Sequence, residues 1–167
     1  MAVTSSGTAT VSLPTDEQIL ITREFDAPKH LVWKAFTTPE LVKRWWNAKR
    51  GEMTVAEIDL QEGGKWRYAM VTDDGFEVAF HGEYREVVPH ERIVSTETYE
   101  GVPEGVSEED ATTVNTATFV EADGRTTLTI LVQARTKESR DAIIESGMEA
   151  GLQDALDLLE EVAVSLG

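Results

Sequence analysis

Cysteine is absent from this chain of 167 residues, which excludes a disulfide framework and a thiolate nucleophile. Histidine is scarce. His30, His81 and His90 fall in a predicted helix, strand and turn, without the paired spacing of a metal site, so no metal is expected. Long apolar runs are also missing, because Lys, Arg, Asp or Glu interrupts each one before the roughly 18 residues that a spanning helix needs. Membrane insertion is therefore not expected. Basic residues are outnumbered, 15 Lys and Arg against 31 Asp and Glu, for a formal charge of −16. Such a field repels phosphate backbones and anionic lipid surfaces, and nucleic acid is excluded as a partner. A Gly-x-Ser-x-Gly elbow, a phosphate-binding glycine loop and a dinucleotide fingerprint are all lacking. With them go the classical hydrolase and kinase readings, and no cofactor is expected.

The segment from Met1 to Thr15, mostly Ser, Thr, Ala, Val and Gly, lacks the basic start and apolar centre of a secretory signal. It reads as a flexible tail before one domain over residues 16–167, and a cytoplasmic location is the expectation. Gln18 to Phe25 alternates in the manner of a strand and stops at Asp26-Ala27-Pro28. A short helix follows, capped by Asp26 or Ala27, with Leu31, Val32, Ala35 and Phe36 at helical spacing to about Thr37. Thr38-Pro39 opens a second, which carries Leu41, Val42, Trp45 and Trp46.

The apolar period then changes to two over Met53–Leu60, Gly64–Thr72, Glu77–Val88 and Arg92–Tyr99. Turn residues separate these runs, so they read as an antiparallel meander. After the acidic loop Glu100–Asp110, two more strands, Thr112–Glu121 and Arg125–Ala134, flank Ala122-Asp123-Gly124. Thr136 caps one long helix to near the end, its stripe formed by Ile144, Met148, Leu152, Ala155, Leu159 and Val162. The absence of βαβ alternation excludes a Rossmann domain and indicates an α+β fold. About seven strands curl around the C-terminal helix, and the two short helices close one end.

Strand parity places Trp66, Tyr68 and Met70 on one face of a strand, and Val78, Phe80, Gly82 and Tyr84 on one face of the next. Such residues can simply fill a core. Collectively, three of them bring polar atoms that need partners when buried, as in an apolar pocket for a small molecule. Trp45 and Trp46 project about 100° apart, so one faces inward and the other lines a mouth or plugs the end. Gly147 and Gly151, four apart, allow either a close approach of sheet or ligand or a local kink. His81, Arg67, Glu83 and Arg85 have outward parity, whereas a twist or bulge could turn Glu97 inward.

Asp26-Ala27-Pro28 with Val32-Trp33, then Thr38-Pro39-Glu40-Leu41 and Trp45-Trp46, resembles the opening of the START-like superfamily known as SRPBCC. Gly63-Gly64-Lys65-Trp66, Asp74-Gly75, Gly82-Glu83-Tyr84 and Val88 to Val94 resemble the branch named after the activator of the 90-kDa heat-shock protein ATPase. Gly147-Met148 through Leu152 is similar to that branch's last helix. The resemblance runs from Gln18 to Val164 and implies a helix-grip fold with a cavity under the C-terminal helix. Proteins of this class bind lipids, sterols, plant hormones and polyketides, or act as cyclases. The expected function is therefore binding of a small apolar or aromatic molecule. Its site is expected at Trp45, Trp46, Trp66, Tyr68, Met70, Phe80, Tyr84, Met148, Gly151 and Leu152, with the acidic loop near its entrance. A chaperone partner and a polyketide cyclase-like activity are the alternatives that the resemblance implies. No catalytic motif is recognisable.

Overall fold

In the computed structural model, which describes residues 9–102 and 104–167, period-two burial produces eight strands in one antiparallel sheet. Strand β2 (Gln18–Phe25) shows the pattern most plainly, burying Ile19, Ile21, Arg23 and Phe25 while the residues between them are half-covered. The others are β1 (Thr10–Ser12), β3 (Gly51–Ile58), β4 (Lys65–Thr72), β5 (Glu77–Val88), β6 (Arg92–Tyr99), β7 (Thr112–Ala122) and β8 (Arg125–Gln133). Their order is β1-β2-β8-β7-β6-β5-β4-β3, a meander from β3 to β8 that β2 joins beside β8. This is the helix-grip α+β architecture.

The extra strand lies within the segment expected to be a tail. Thr10–Ser12 pairs with Leu20–Thr22, and residues 1–8 of that segment lie outside the described residues. Short polar residues conceal a strand that is only three residues long and makes its hydrogen bonds through the backbone.

Helix α1 (Lys29–Thr37) buries Val32, Trp33 and Ala35. Its cap is Pro28 rather than Asp26 or Ala27, since Pro28 is itself in an extended conformation and its carbonyl accepts from Leu31 and Val32. Helix α2 (Pro39–Trp45) begins at the expected Thr38-Pro39. The C-terminal helix is two helices, not one, namely α3 (Lys137–Glu145) and α4 (Met148–Ser165). Thr136 Oγ1 accepts from the Ser139 amide as a cap should. The break falls at Gly147, whose φ of 82° puts it in the left-handed region that glycine adopts without a Cβ penalty. Of the two meanings open for Gly147, the kink is the one realised. A Cβ added there, or at Gly151, would meet no atom within 4 Å, so neither glycine serves a close approach of the sheet.

The main apolar core joins β2, β7 and β8 to α1, α2 and α4 through Ile19, Ile21, Phe25, Val32, Val42, Phe119, Leu128, Leu156 and Leu159, each at most 3% exposed. Leu156 and Leu159 anchor the middle of α4. Its N-terminal residues Met148 and Leu152 are only partly buried.

Candidate functional site

The inner face at the β3–β6 end of the sheet is aromatic. In β4, Trp66, Tyr68 and Met70 alternate inward, and the register sets them beside Gly82, Phe80 and Val78 of β5. The Trp66 indole crosses Gly82, and its Nε1 donates to the Thr96 carbonyl of β6 at 3.1 Å. A Cβ at Gly82 would lie 1.8 Å from that carbonyl oxygen and 2.6 Å from Trp66 Nε1, so glycine is required here by close approach.

The rings form a connected wall. Trp66 and Tyr68 lie 4.8 Å apart, Trp46 and Tyr68 5.5 Å, Trp46 and Phe80 5.7 Å, and Phe80 and Tyr99 5.0 Å, with interplanar angles from 37° to 75°. Steep angles set successive rings edge to face rather than in a flat stack. The adjacent tryptophans take different tasks, as their 100° offset requires. Trp45 is buried, stacks 5.6 Å from Phe36 and donates from Nε1 to the Ala35 carbonyl at 2.9 Å. Trp46 stays half-buried and joins the wall.

A chain of polar groups continues along the same inner face. Thr113 Oγ1 donates to Asn115 Oδ1 at 2.8 Å, and Asn115 Nδ2 donates to Glu97 Oε1 at 3.3 Å. Glu97 therefore points inward. Desolvation by the surrounding protein raises its carboxyl pKa above the ordinary carboxylate range, with the Asn115 bond a partial offset. No Lys, Arg or His lies within ion-pair distance of it among the described residues. The Tyr68 and Tyr84 hydroxyls face one another nearby. Burial is the main cause of the raised pKa of both phenols, and the Glu97 carboxylate raises Tyr68 further.

Accessibility at the centre of the sheet is unusual. Ser95, Glu97, Asn115 and Ile130 belong to strands with neighbours on both sides and share the inner face with Tyr84 and Ala117. Each nevertheless keeps accessible surface, as do Tyr68 and Phe80. Ile19, Phe25 and Leu128 in β2 and β8, by contrast, are sealed.

Of the residues singled out from sequence, Trp46, Trp66, Tyr68, Phe80 and Tyr84 adjoin one another, and Glu97 lies near Tyr68. Met70 is buried in the next row, paired with Met53 and Val78. Trp45 belongs to the α1–α2 packing. Met148, Gly151 and Leu152 lie in the loosely covered first turns of α4. The acidic loop is tied to Arg135 through Glu109 and Asp110. Beside that contact Glu108, Thr112, Val114 and Gln133 line a hollow, and a second one lies at Asp26, Glu160 and Val164. Neither touches the aromatic wall.

Two polar features went unread in the sequence. Arg23 is 1% exposed and donates to Asp157 at 3.0 Å and Glu160 at 2.9 Å of α4, while its Nε has no partner. Its signal was plain parity, since it shares the face of Ile19, Ile21 and Phe25. On the outer face, where parity had placed Arg67 and His81, both bond Glu100. Arg67 does so through two bonds of 2.9 Å, and His81 through Nδ1 at 2.9 Å. These contacts, led by Arg67, hold the Glu100 carboxyl at about 2.

The surface charges are otherwise dispersed, and no helix among the described residues is long and apolar enough to cross a membrane. Comparison with known proteins adds relatives of the same architecture. The family model described as Activator of Hsp90 ATPase homolog 1-like protein matches residues 26–163. A Rhodobacter sphaeroides protein of known structure superposes with a TM-score of 0.84 at 23% identity, covering 95% of this chain and 99% of its own. A Mycobacterium smegmatis protein gives 0.81 at 24%, covering 92% and 96%. An AHSA1-like protein from Aeromonas hydrophila gives 0.66 at 22%, covering 89% and 94%. At these identities the likeness speaks for the fold. No curated protein sequence matches the chain.

Proposed function

Because the chain belongs to the family of Activator of Hsp90 ATPase homolog 1-like proteins, with its helix-grip fold, we propose that it binds a small, largely apolar or aromatic molecule. The molecule sits between the inner face of β4–β7 and the first turns of α4. The observation that carries this reading is the retained accessibility of Tyr68, Phe80, Ser95, Glu97 and Asn115 at the middle of the sheet. Were sheet and helix closed on one another, those positions would be sealed as Ile19 and Leu128 are. Trp46, Trp66, Tyr68 and Phe80 supply apolar walls, and the Glu97, Asn115, Tyr68 and Tyr84 polar atoms fix one end of the ligand. Trp66 has its N–H already bonded to Thr96, so it acts as wall and not as donor.

The test is an NMR titration with a panel of lipids, flavonoids and aromatic polyketides, following the four indole N–H signals. Saturable shifts are expected at Trp46 and Trp66 and along Met148–Leu152. Trp45, stacked between α1 and α2, is the internal control. If every member of the panel leaves Trp46 and Trp66 unmoved, the reading fails.

The family's name supplies a second partner, a heat-shock ATPase. A change in that chaperone's turnover at saturating protein would establish it, and an unchanged rate would remove it.

A further inference from the structure

We propose that the polar end of the ligand is an organic cation, an alkylammonium group held against Glu97 beside the aromatic wall. This rests on the small-molecule reading above and specifies its chemistry. A carboxylate stands near Tyr68, which belongs to a set of rings packed edge to face, and ammonium groups are attracted both to anions and to the negative faces of aromatic rings. The two buried arginines are engaged elsewhere. Arg23 is held by Asp157 and Glu160, and Arg140 by Asp141 and the carbonyls of Thr15 and Gln18. Glu97 has only the long Asn115 contact, although it lies among groups that provide no compensating charge. A buried carboxylate without a partner is costly. A ligand bearing one positive charge completes the site.

The remaining groups agree with that sign. Near Glu97 are Tyr68 of β4 and Thr113 and Asn115 of β7, with Tyr84 of β5 beyond Tyr68. All are neutral or negative near neutral pH. An anionic ligand would meet Glu97 with no base paired to it, whereas a cation meets complementary charge. The net charge of −16 also raises the local concentration of cations around the molecule.

A consequence is coupling to protons. In the empty site burial favours the protonated carboxyl, and a bound ammonium favours the ionised one. Ligand binding therefore releases a proton, and affinity falls about tenfold per pH unit below the pKa of Glu97 in the empty site.

The experiment uses the full chain and three probes that share a ring and chain length: 4-phenylbutylammonium, 4-phenylbutanol and 4-phenylbutyrate. Calorimetry in buffers of different ionisation enthalpy reads affinity and proton release together. The expected result is an ammonium at least about tenfold tighter than the alcohol, a butyrate weaker than both, and a released proton. Glu97→Gln abolishes the preference and the proton release, whereas Glu104→Gln, which removes the same charge from the exposed acidic loop, leaves both intact. Equal binding of ammonium and alcohol, or an ammonium preference that survives Glu97→Gln, overturns the cation and leaves the apolar site standing. Failure of all three probes and of the apolar panel overturns both readings. Binding of panel compounds without the ammonium overturns the cation alone.

Discussion

Replacing Glu97 by Gln keeps the shape of the side chain and an oxygen to accept from Asn115, but it removes the ionisable group. The effect on stability should depend on pH in a defined direction. The folded-state pKa lies above the ordinary value of 4.5, so well below 4.5 the carboxyl is protonated in both folded and unfolded chains. Wild type and variant then differ little. As pH rises past 4.5 the unfolded chain loses its proton while the folded chain retains it. Wild type is thereby destabilised by up to about 1.4 kcal/mol per pH unit until Glu97 ionises in the native state. The compensation available is one bond of 3.3 Å from a neutral amide, worth about 1 kcal/mol. Urea unfolding of both proteins, followed by tryptophan fluorescence from about pH 4 to about pH 8, isolates this difference because every other carboxylate is common to the pair. Gln should be the more stable at neutral pH, with the gap closing towards pH 4. A pH-independent gap, or a variant less stable at neutral than at acid pH, would refute the assignment of Glu97 as a buried carboxyl without a counter-charge.

Three other perturbations probe the frame around it. Arg23→Met should cost about 3 kcal/mol in chemical denaturation, the lower end for a broken buried pair because Asp157 and Glu160 can turn to water. Adding Glu160→Gln, which still accepts from the Asp26 amide, should recover part of that loss, and a double variant no better than the single would count against the pairing. Gly82→Ala should destabilise by about 2 kcal/mol or more and shift the Trp66 indole signal, since the clash is with backbone and with the indole itself. Glu100, lowered to about 2, contributes stability that is complete above about pH 4.5 and is lost as pH falls towards 2. Its partners are about 40% exposed, so Glu100→Gln should remove only about 1 kcal/mol at neutral pH and almost nothing near pH 2.

Where local pattern and tertiary outcome agree, the sequence was sufficient. Gln18–Phe25, Glu77–Val88 and Arg92–Tyr99 have the strand limits that alternation implies, because each buries one face and a slip of one residue would expose it. The aromatic wall was legible for the same reason. The break at Gly147 was not, since the apolar stripe continues across it from Ile144 to Met148, and periodicity is blind to one residue of positive φ. Strand β1 has no stripe to read, being short and at an edge. Glu97 was left undecided because its strand mixes polar residues on both faces, and only the bond from Asn115 resolves which way it points.

Arg23 and Glu97 show why burial of a charge does not by itself indicate a site. Both occupy inward positions on strands, where a lone charge is costly. Arg23 meets two carboxylates from α4, and the pair fixes how the C-terminal half of that helix crosses β2. The interaction is complete within the chain, apart from Nε, and its loss should be read as instability. Glu97 meets a neutral amide and lies near the Tyr68 phenol, and no Lys, Arg or His among the described residues pairs with it. A fold selected for stability alone would do better with an apolar residue there. The carboxyl's cost is therefore accounted for only by a partner that the chain does not contain, and stability and ligand affinity should move in opposite directions when Glu97 is replaced.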